Sequence, residues 1–363
     1  MTTATLLRTP LHSHHVLLNA KMVPFAGWEM PIQFTSILTE VRAVRKSIGV
    51  FDVSHMGRIE VTGPEAGAFL DRLLTADIAS LDVGRARYSL VCNDAGGILD
   101  DVMAYHLAPE RYLVVCNAAN RDTIVPWFQR HATKGVTLKD VTLETGMIAV
   151  QGPRAVNLMS GISLPNALAG IKPFHVANSG VGGYPSWVAR TGYTGEDGLE
   201  FLCPRSSAQP IWHQVLGSVV APCGLGARDI LRLEAGLLLH GHDMDSTTNP
   251  FEAGLDRFVK MDKPSLLGKD ALERARAGLK RRLVGFRMKQ RGSVPRAGSL
   301  ALAGGREVGK VTSGAYSPTL DADIGLAYVP VEHASPGAPL TIDVRGKRLD
   351  AQVVPLPFYR RAK

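Results

Sequence analysis

Apolar positions along the chain recur in short runs broken by glycine, and the spacing switches between helical and extended. In residues 33–47, Ile37, Val41 and Val44 repeat at helical spacing with charges between them, which predicts a helix. Residues 64–74 predict another, with Pro64 at a first turn and Ala68, Phe69 and Leu73 on one side. The clearest hairpin spans 86–107. Runs 88–92 and 98–107 flank Asn93-Asp94-Ala95-Gly96-Gly97, whose residues tolerate positive φ. A strand over 112–116 extends it, and a helix is predicted over 227–240.

After a further helix over 269–277 the pattern changes to short extended runs separated by Gly and Pro. These are 283–288, 307–312, 324–329, 340–344 and 349–354, and together they predict a small β-barrel or sandwich. The boundary falls near 278–280, giving regions 1–279 and 280–363. No internal repeat or low-complexity segment stands out.

Composition narrows the class. Of 363 residues, 45% are hydrophobic and 20% charged, the ordinary balance of a folded protein. No run approaches the roughly 18 apolar residues of a membrane span, and the first twenty residues resemble neither a secretory signal nor a transit peptide. A cytoplasmic location is expected. Cys92, Cys116, Cys203 and Cys223 form no C-x-x-C pair, so buried thiols are expected rather than a metal or redox site. The net charge of +8 is uneven. Residues 269–310 hold twelve basic against three acidic side chains, a local +9 on a chain otherwise at −1. Nucleic acid, an acidic protein and a polyanionic ligand are all compatible with that stretch, but no nucleic-acid module accompanies it.

Catalytic signatures are few. Gly224-Leu225-Gly226-Ala227-Arg228-Asp229 begins like a dinucleotide fingerprint, yet Asp229 stands where the third Gly belongs, so a tight turn entering a helix fits better. Asp243-Met244-Asp245 lacks the Gly and Glu of a calcium loop. Asp100-Asp101 is more informative: both carboxylates interrupt an apolar alternation on a strand, and each needs a partner there. Periodicity does not choose between them. The Gly-rich run 191–201 carries Tyr193 and Glu200, and a carboxylate there matches the adjacent donors of a 2-amino-pyrimidinone edge such as a pterin's. The alternative is a hairpin turn with solvated acids. Arg228 at a helix start suits a ligand carbonyl or carboxylate, or a structural ion pair.

In order along the chain, several segments resemble the glycine cleavage T-protein family. They are Thr9-Pro10-Leu11, Phe25-Ala26-Gly27-Trp28-Glu29-Met30-Pro31, Phe51-Asp52-Val53-Ser54-His55-Met56-Gly57 and Gly96-Gly97-Ile98-Leu99-Asp100-Asp101. Val150-Gln151-Gly152-Pro153, Arg190-Thr191-Gly192-Tyr193-Thr194-Gly195-Glu196-Asp197-Gly198, Arg232-Leu233-Glu234-Ala235 and Ser317-Pro318-Thr319-Leu320 continue the match. The resemblance implies an α+β fold, a three-domain cloverleaf around a central folate channel. Two of its domains interleave within 1–279, and the third is the C-terminal barrel. It implies aminomethyl transfer from the lipoyl arm of H protein to tetrahydrofolate, coupled to the P and L proteins, without metal, membrane or nucleic acid. By position it makes Asp101 the critical acid and Glu200 and Arg228 folate anchors. Met56, Tyr88, Met103, Tyr105, Asn117 and Tyr193 become pocket residues. A folate-dependent demethylase and a non-enzymatic folate-binding iron–sulfur assembly factor are the alternatives. The basic stretch is expected to receive acidic H protein or polyglutamylated folate.

Overall fold

The computed structural model describes residues 5–162, 164, 170–217 and 219–362. The fold is α+β, and the chain divides into two compact units that interleave in sequence. One comprises residues 1–71, 77–89 and 102–228; the other comprises 72–76, 90–101 and 229–363.

The first unit is built on a six-stranded sheet ordered Val176–Val181, Tyr184–Ala189, Gly198–Pro204, Thr145–Gln151, Gly49–Asp52 and Ala221–Pro222. Only the last pair is parallel. Ile148, Val150, Phe201 and Leu199 of these strands pack with Ile211 and Trp212 of helix Arg205–Val215. A five-stranded sheet follows the order Ala86–Cys92, Ile98–Ala108, Arg111–Cys116, Gly57–Thr62 and Thr137–Asp140. Its first two strands are the predicted hairpin, and each contains residues of both units.

Helix Ile37–Lys46 starts later than its apolar spacing suggests, because Ser36 adopts extended backbone and its Oγ accepts from Thr39 N. Gln33 instead ends the strand Trp28–Gln33, which pairs with Lys21–Phe25 in a ribbon the apolar pattern did not reveal. Helix Leu225–Glu234 stops well short of the expected residue 240. Gly236 has φ +65°, Gly236 N donates to Leu233 O and Leu237 N to Arg232 O, the paired bonds of a glycine-terminated helix end.

In the second unit the predicted strands close into a six-stranded barrel: Arg281–Met288, Ala322–Pro330, Arg306–Ser317, Leu300–Ala303, Pro339–Val344 and Lys347–Val354. Phe286, Ala301, Ile342 and Ala351 fill it. The segment ahead of the barrel is tied to it by charge. Arg232 pairs with buried Asp243 at 2.5 Å. Asp243 also accepts from Thr312 Oγ1 at 2.6 Å and Ser313 Oγ at 2.7 Å. Glu234, likewise buried, accepts from Ser317 Oγ at 2.5 Å and Thr319 Oγ1 at 3.0 Å. Asp243 is therefore a structural counter-ion. Within the basic stretch, Arg281 meets Glu252, Arg282 meets Asp256 and Arg291 meets Asp321, so part of the local excess is neutralised inside the unit.

Removing one partner of a buried pair leaves the other charge without compensation. Asp243→Asn should lower the unfolding free energy by about 3–5 kcal/mol, measured by urea denaturation. A loss under about 1 kcal/mol would mean the Arg232 contact adds no more than a surface pair does.

Candidate functional site

The Gly-rich loop is shaped by one amide. Gln151 Nε2 donates to Thr191 O at 3.1 Å, and Gln151 Oε1 accepts from Thr194 Oγ1 at 2.9 Å. A Cβ on Gly192 would lie 2.0 Å from Gln151 Oε1, and one on Gly198 would lie 2.3 Å from its Nε2. A side chain at 198 would also meet Val150 O at 2.5 Å, whereas one at 192 would force the Gln151 amide to move. The acids of this loop are not solvated, contrary to the hairpin alternative. Glu196 pairs with Arg45 at 2.8 Å with both side chains nearly buried, and Asp197 accepts from Arg190.

Glu200 follows on the central strand Gly198–Pro204, opposite Ala149 and Ala189, and is buried. A carboxylate in that position requires donors. Thr191 Oγ1 and Tyr105 OH, the latter at 3.2 Å, both donate to Oε2. Among the described residues no hydrogen bond reaches Oε1. Burial, reinforced by the Glu200 charge, pushes the Tyr105 phenol well above its ordinary range, so it remains a donor. One oxygen of Glu200 is thus fixed by the protein while the other is open to a ligand.

Arg228 stands in the first turn of helix Leu225–Glu234, with its guanidinium 4.6 Å from the Tyr193 ring centroid in a cation–π stack. The glycines before it serve close approach, not dinucleotide binding. A Cβ on Gly224 would lie 2.4 Å from Ile32 C, and Gly224 N donates to buried Glu40 at 2.9 Å.

Strand Ile98–Ala108 separates the two aspartates that periodicity left equivalent. Asp100 is fully buried with Ile98, Val102 and Ala104, whereas Asp101 is half-buried with Leu99 and Met103. The start of the strand is held firmly: Ile98 N donates to Thr248 O at 2.9 Å, and His240 Nε2 lies 2.9 Å from Ile98 O. A Cβ on Gly97 would lie 1.9 Å from Ser246 O, so that close approach requires glycine. Asp101 is the last residue of its stretch in the second unit. The eight expected folate residues all fall in the first. Within that unit the structure joins Tyr105 to Glu200 and Tyr193 to Arg228. Met56, Tyr88, Met103 and Asn117 are half-buried, and none of them bonds to Glu200.

Beside Met56 lies a network that the residue types alone did not expose. Asp52 accepts from Thr9 Oγ1 at 2.6 Å, from His15 Nε2 at 2.8 Å and from Ser54 N at 2.9 Å. Burial pushes the Asp52 carboxyl up, but these bonds, led by His15, outweigh it and bring it down to about 2. His55 is buried, and burial followed by the nearby Arg228 charge lowers its imidazole to about 3. Among the described residues no three His, Cys, Asp or Glu side chains are grouped to hold a metal, and all four cysteines are buried and outside any disulfide.

The first unit thus carries a buried carboxylate bonded by the protein on one oxygen only, and a guanidinium over an aromatic ring. Comparison with known proteins gives the chain a family. A model described as the GCVT N-terminal domain matches residues 11–263, and one described as the glycine cleavage T-protein C-terminal barrel domain matches 281–360. The aminomethyltransferase of Geobacillus kaustophilus is 46% identical, over 99% of this chain and 100% of its own length. That of Picosynechococcus sp. is 42% identical over 99% of both. The crystal structure of glycine cleavage system aminomethyltransferase T from Bartonella henselae superposes with a TM-score of 0.92 at 34% identity, over 99% of this chain and all of that one. The chain belongs to the glycine cleavage T-protein family, the aminomethyltransferases.

The depressed His55 and Asp52 values fix a pH dependence. Below about pH 6.5 the unfolded chain protonates this histidine while the folded one does not, so stability falls as pH drops from about 6.5 toward 3. The slope approaches about 1.4 kcal/mol per pH unit from this group. Asp52 adds a loss only as pH falls from about 3.9 toward 2. Urea midpoints measured from pH 7 to 4 should decline for the parent and flatten in His55→Gln. Parallel curves would show that His55 is not held neutral by the fold.

Proposed function

We propose that this chain transfers the one-carbon unit of S-aminomethyl-dihydrolipoyl H protein to tetrahydrofolate, giving 5,10-methylenetetrahydrofolate, ammonia and dihydrolipoyl H protein. The observation carrying this reading is the open oxygen of buried Glu200, in a chain whose full-length relatives bear the name aminomethyltransferase. The residues present suit the folate. A buried carboxylate accepts from the amino edge of a pterin, and a guanidinium donates to a carbonyl or carboxylate. When bound, tetrahydrofolate supplies the amine nitrogens that receive the carbon.

The chain's own residues then have distinct tasks. Thr191 and Tyr105 fix the direction in which Glu200 presents Oε1. The Tyr193 ring lies against the Arg228 guanidinium and restricts it, which reduces what must be ordered when a ligand arrives. Met56, Tyr88, Met103 and Asn117 line the pocket. The Asp101 carboxylate stabilises positive charge as it develops at the reacting amine, a task for an ionised group beside the reacting atoms. In this reading residues 1–279 form the folate-binding region, in two interleaved parts, and 280–363 form the barrel domain.

Asp101→Asn should cut folate-dependent ammonia release from aminomethylated H protein by about 100-fold or more, with an unchanged melting temperature. Release at the parental rate would remove Asp101 from this role. Glu200→Ala should weaken tetrahydrofolate binding by about 10- to 100-fold in calorimetry, the range of hydrogen bonds to a charged group. Parental affinity would take Glu200 out of the site.

A further inference from the structure

Among the described residues, His55 is one of several buried polar side chains with an atom that the protein leaves unbonded. It is 2% exposed, yet its Nδ1 has no hydrogen-bond partner, and among the described residues none reaches Nε2. The other fully buried histidine, His15, is also unbonded at Nδ1 but meets Asp52 through Nε2, so of the two only His55 lacks a partner on both nitrogens. Buried polar groups in native proteins are nearly always paired, and an orphan requires an account. The strand and turn around His55 do not supply a donor or acceptor, although they hold the residue in place. Ser54 is bonded at both N and Oγ, to Asp52 and Met147 O, and Met56 N donates to Val53 O at 3.1 Å. Arg58 then takes Met56 O at 2.6 Å. The backbone on either side of His55 is therefore pinned, and Phe25 closes on its ring edge-to-face at a centroid distance of 5.6 Å.

Arg228 is close enough for its charge to act on the imidazole, and Arg228 is itself stacked on Tyr193. An unpaired neutral imidazole beside a guanidinium gives a site two nitrogen groups of different character. The guanidinium only donates, while the imidazole donates at one nitrogen and accepts at the other. We infer that His55 contacts the bound folate, forming one hydrogen bond to a polar atom of the ligand beside Arg228. This rests on the folate reading above and adds to it a residue whose ring has no bonding partner in the protein. Because the ring stays neutral from pH 6 to 8, the contact has one protonation state over the working range.

Calorimetry with tetrahydrofolate on the full chain, comparing the parent with Glu200→Ala, His55→Phe and His55→Gln, tests the inference. The parent should bind, and His55→Phe should bind about tenfold more weakly, as expected for one lost neutral hydrogen bond. His55→Gln should recover most of that loss, because its amide also donates and accepts. No binding by the parent, or parental affinity in Glu200→Ala, would defeat the folate reading itself. Binding that is lost in Glu200→Ala but unchanged in His55→Phe would defeat only the His55 contact. Crystals of the parent with 5-formyltetrahydrofolate decide the matter should His55→Phe fail to fold. A His55 nitrogen within about 3.2 Å of a ligand polar atom supports the contact. An ordered water on both ring nitrogens, with the ligand elsewhere, overturns it.

Discussion

The Gln151 side chain occupies the space that any residue larger than glycine would need at 192 and 198. Its amide bonds both limbs of the loop, at Thr191 O and Thr194 Oγ1, so the loop's path follows from one side chain rather than from turn propensity. Everything that gives the site its chemistry hangs from that path. Thr191 must sit beside Glu200 for the carboxylate to be bonded on one oxygen, and Tyr193 must reach Arg228 for the guanidinium to be stacked. Glycine at 198 is thus a steric requirement set by Val150 O, and glycine at 192 keeps the Gln151 amide in place, with backbone freedom secondary: among the loop's glycines only Gly195 has positive φ.

Several buried charges are matched by an opposite partner or by backbone carbonyls. Arg45 with Glu196, Arg232 with Asp243 and Asp52 with His15 are all matched inside the protein. Arg58, completely buried, has no carboxylate bonded to it and spends its donors on Met56 O, Thr142 O, Thr145 O and Thr145 Oγ1. Such networks are costly when incomplete, which makes them specify one arrangement of the chain. His55, with neither ring nitrogen bonded, lies where the backbone on both sides is hydrogen-bonded.

Much of the fold was legible in the sequence because local rules decided it. The hairpin over 86–107, the helix near 37–46 and five of six barrel strands follow from alternation, capping and turn residues. Where the reading went astray, a local signal had been outweighed or overlooked. Gly236 ended the helix begun at Leu225, although apolar spacing ran on through Leu238 and Leu239. The ribbon of Lys21–Phe25 with Trp28–Gln33 carries too little alternation to show itself. The order of the six-stranded sheet depends on pairings between residues far apart in sequence, such as Gly49 with Gln151, and no periodicity encodes those.

The site was legible in a different way. Residue type and spacing made Glu200 a candidate pterin acceptor, but they gave the Gly-loop acids an equally good solvated alternative. What decided between them was the identity of distant partners: Arg45 for Glu196, Arg190 for Asp197, and Tyr105 for Glu200. The same holds for the two aspartates. On the strand they are neighbours of equal chemistry, and only burial of one face distinguishes them, leaving Asp100 enclosed and Asp101 half-open. A sequence states which groups can ionise; the fold determines which of them is already satisfied. What a buried polar group can still offer a ligand is defined only once its protein partners are known, as for the Glu200 oxygen that no side chain of the protein bonds.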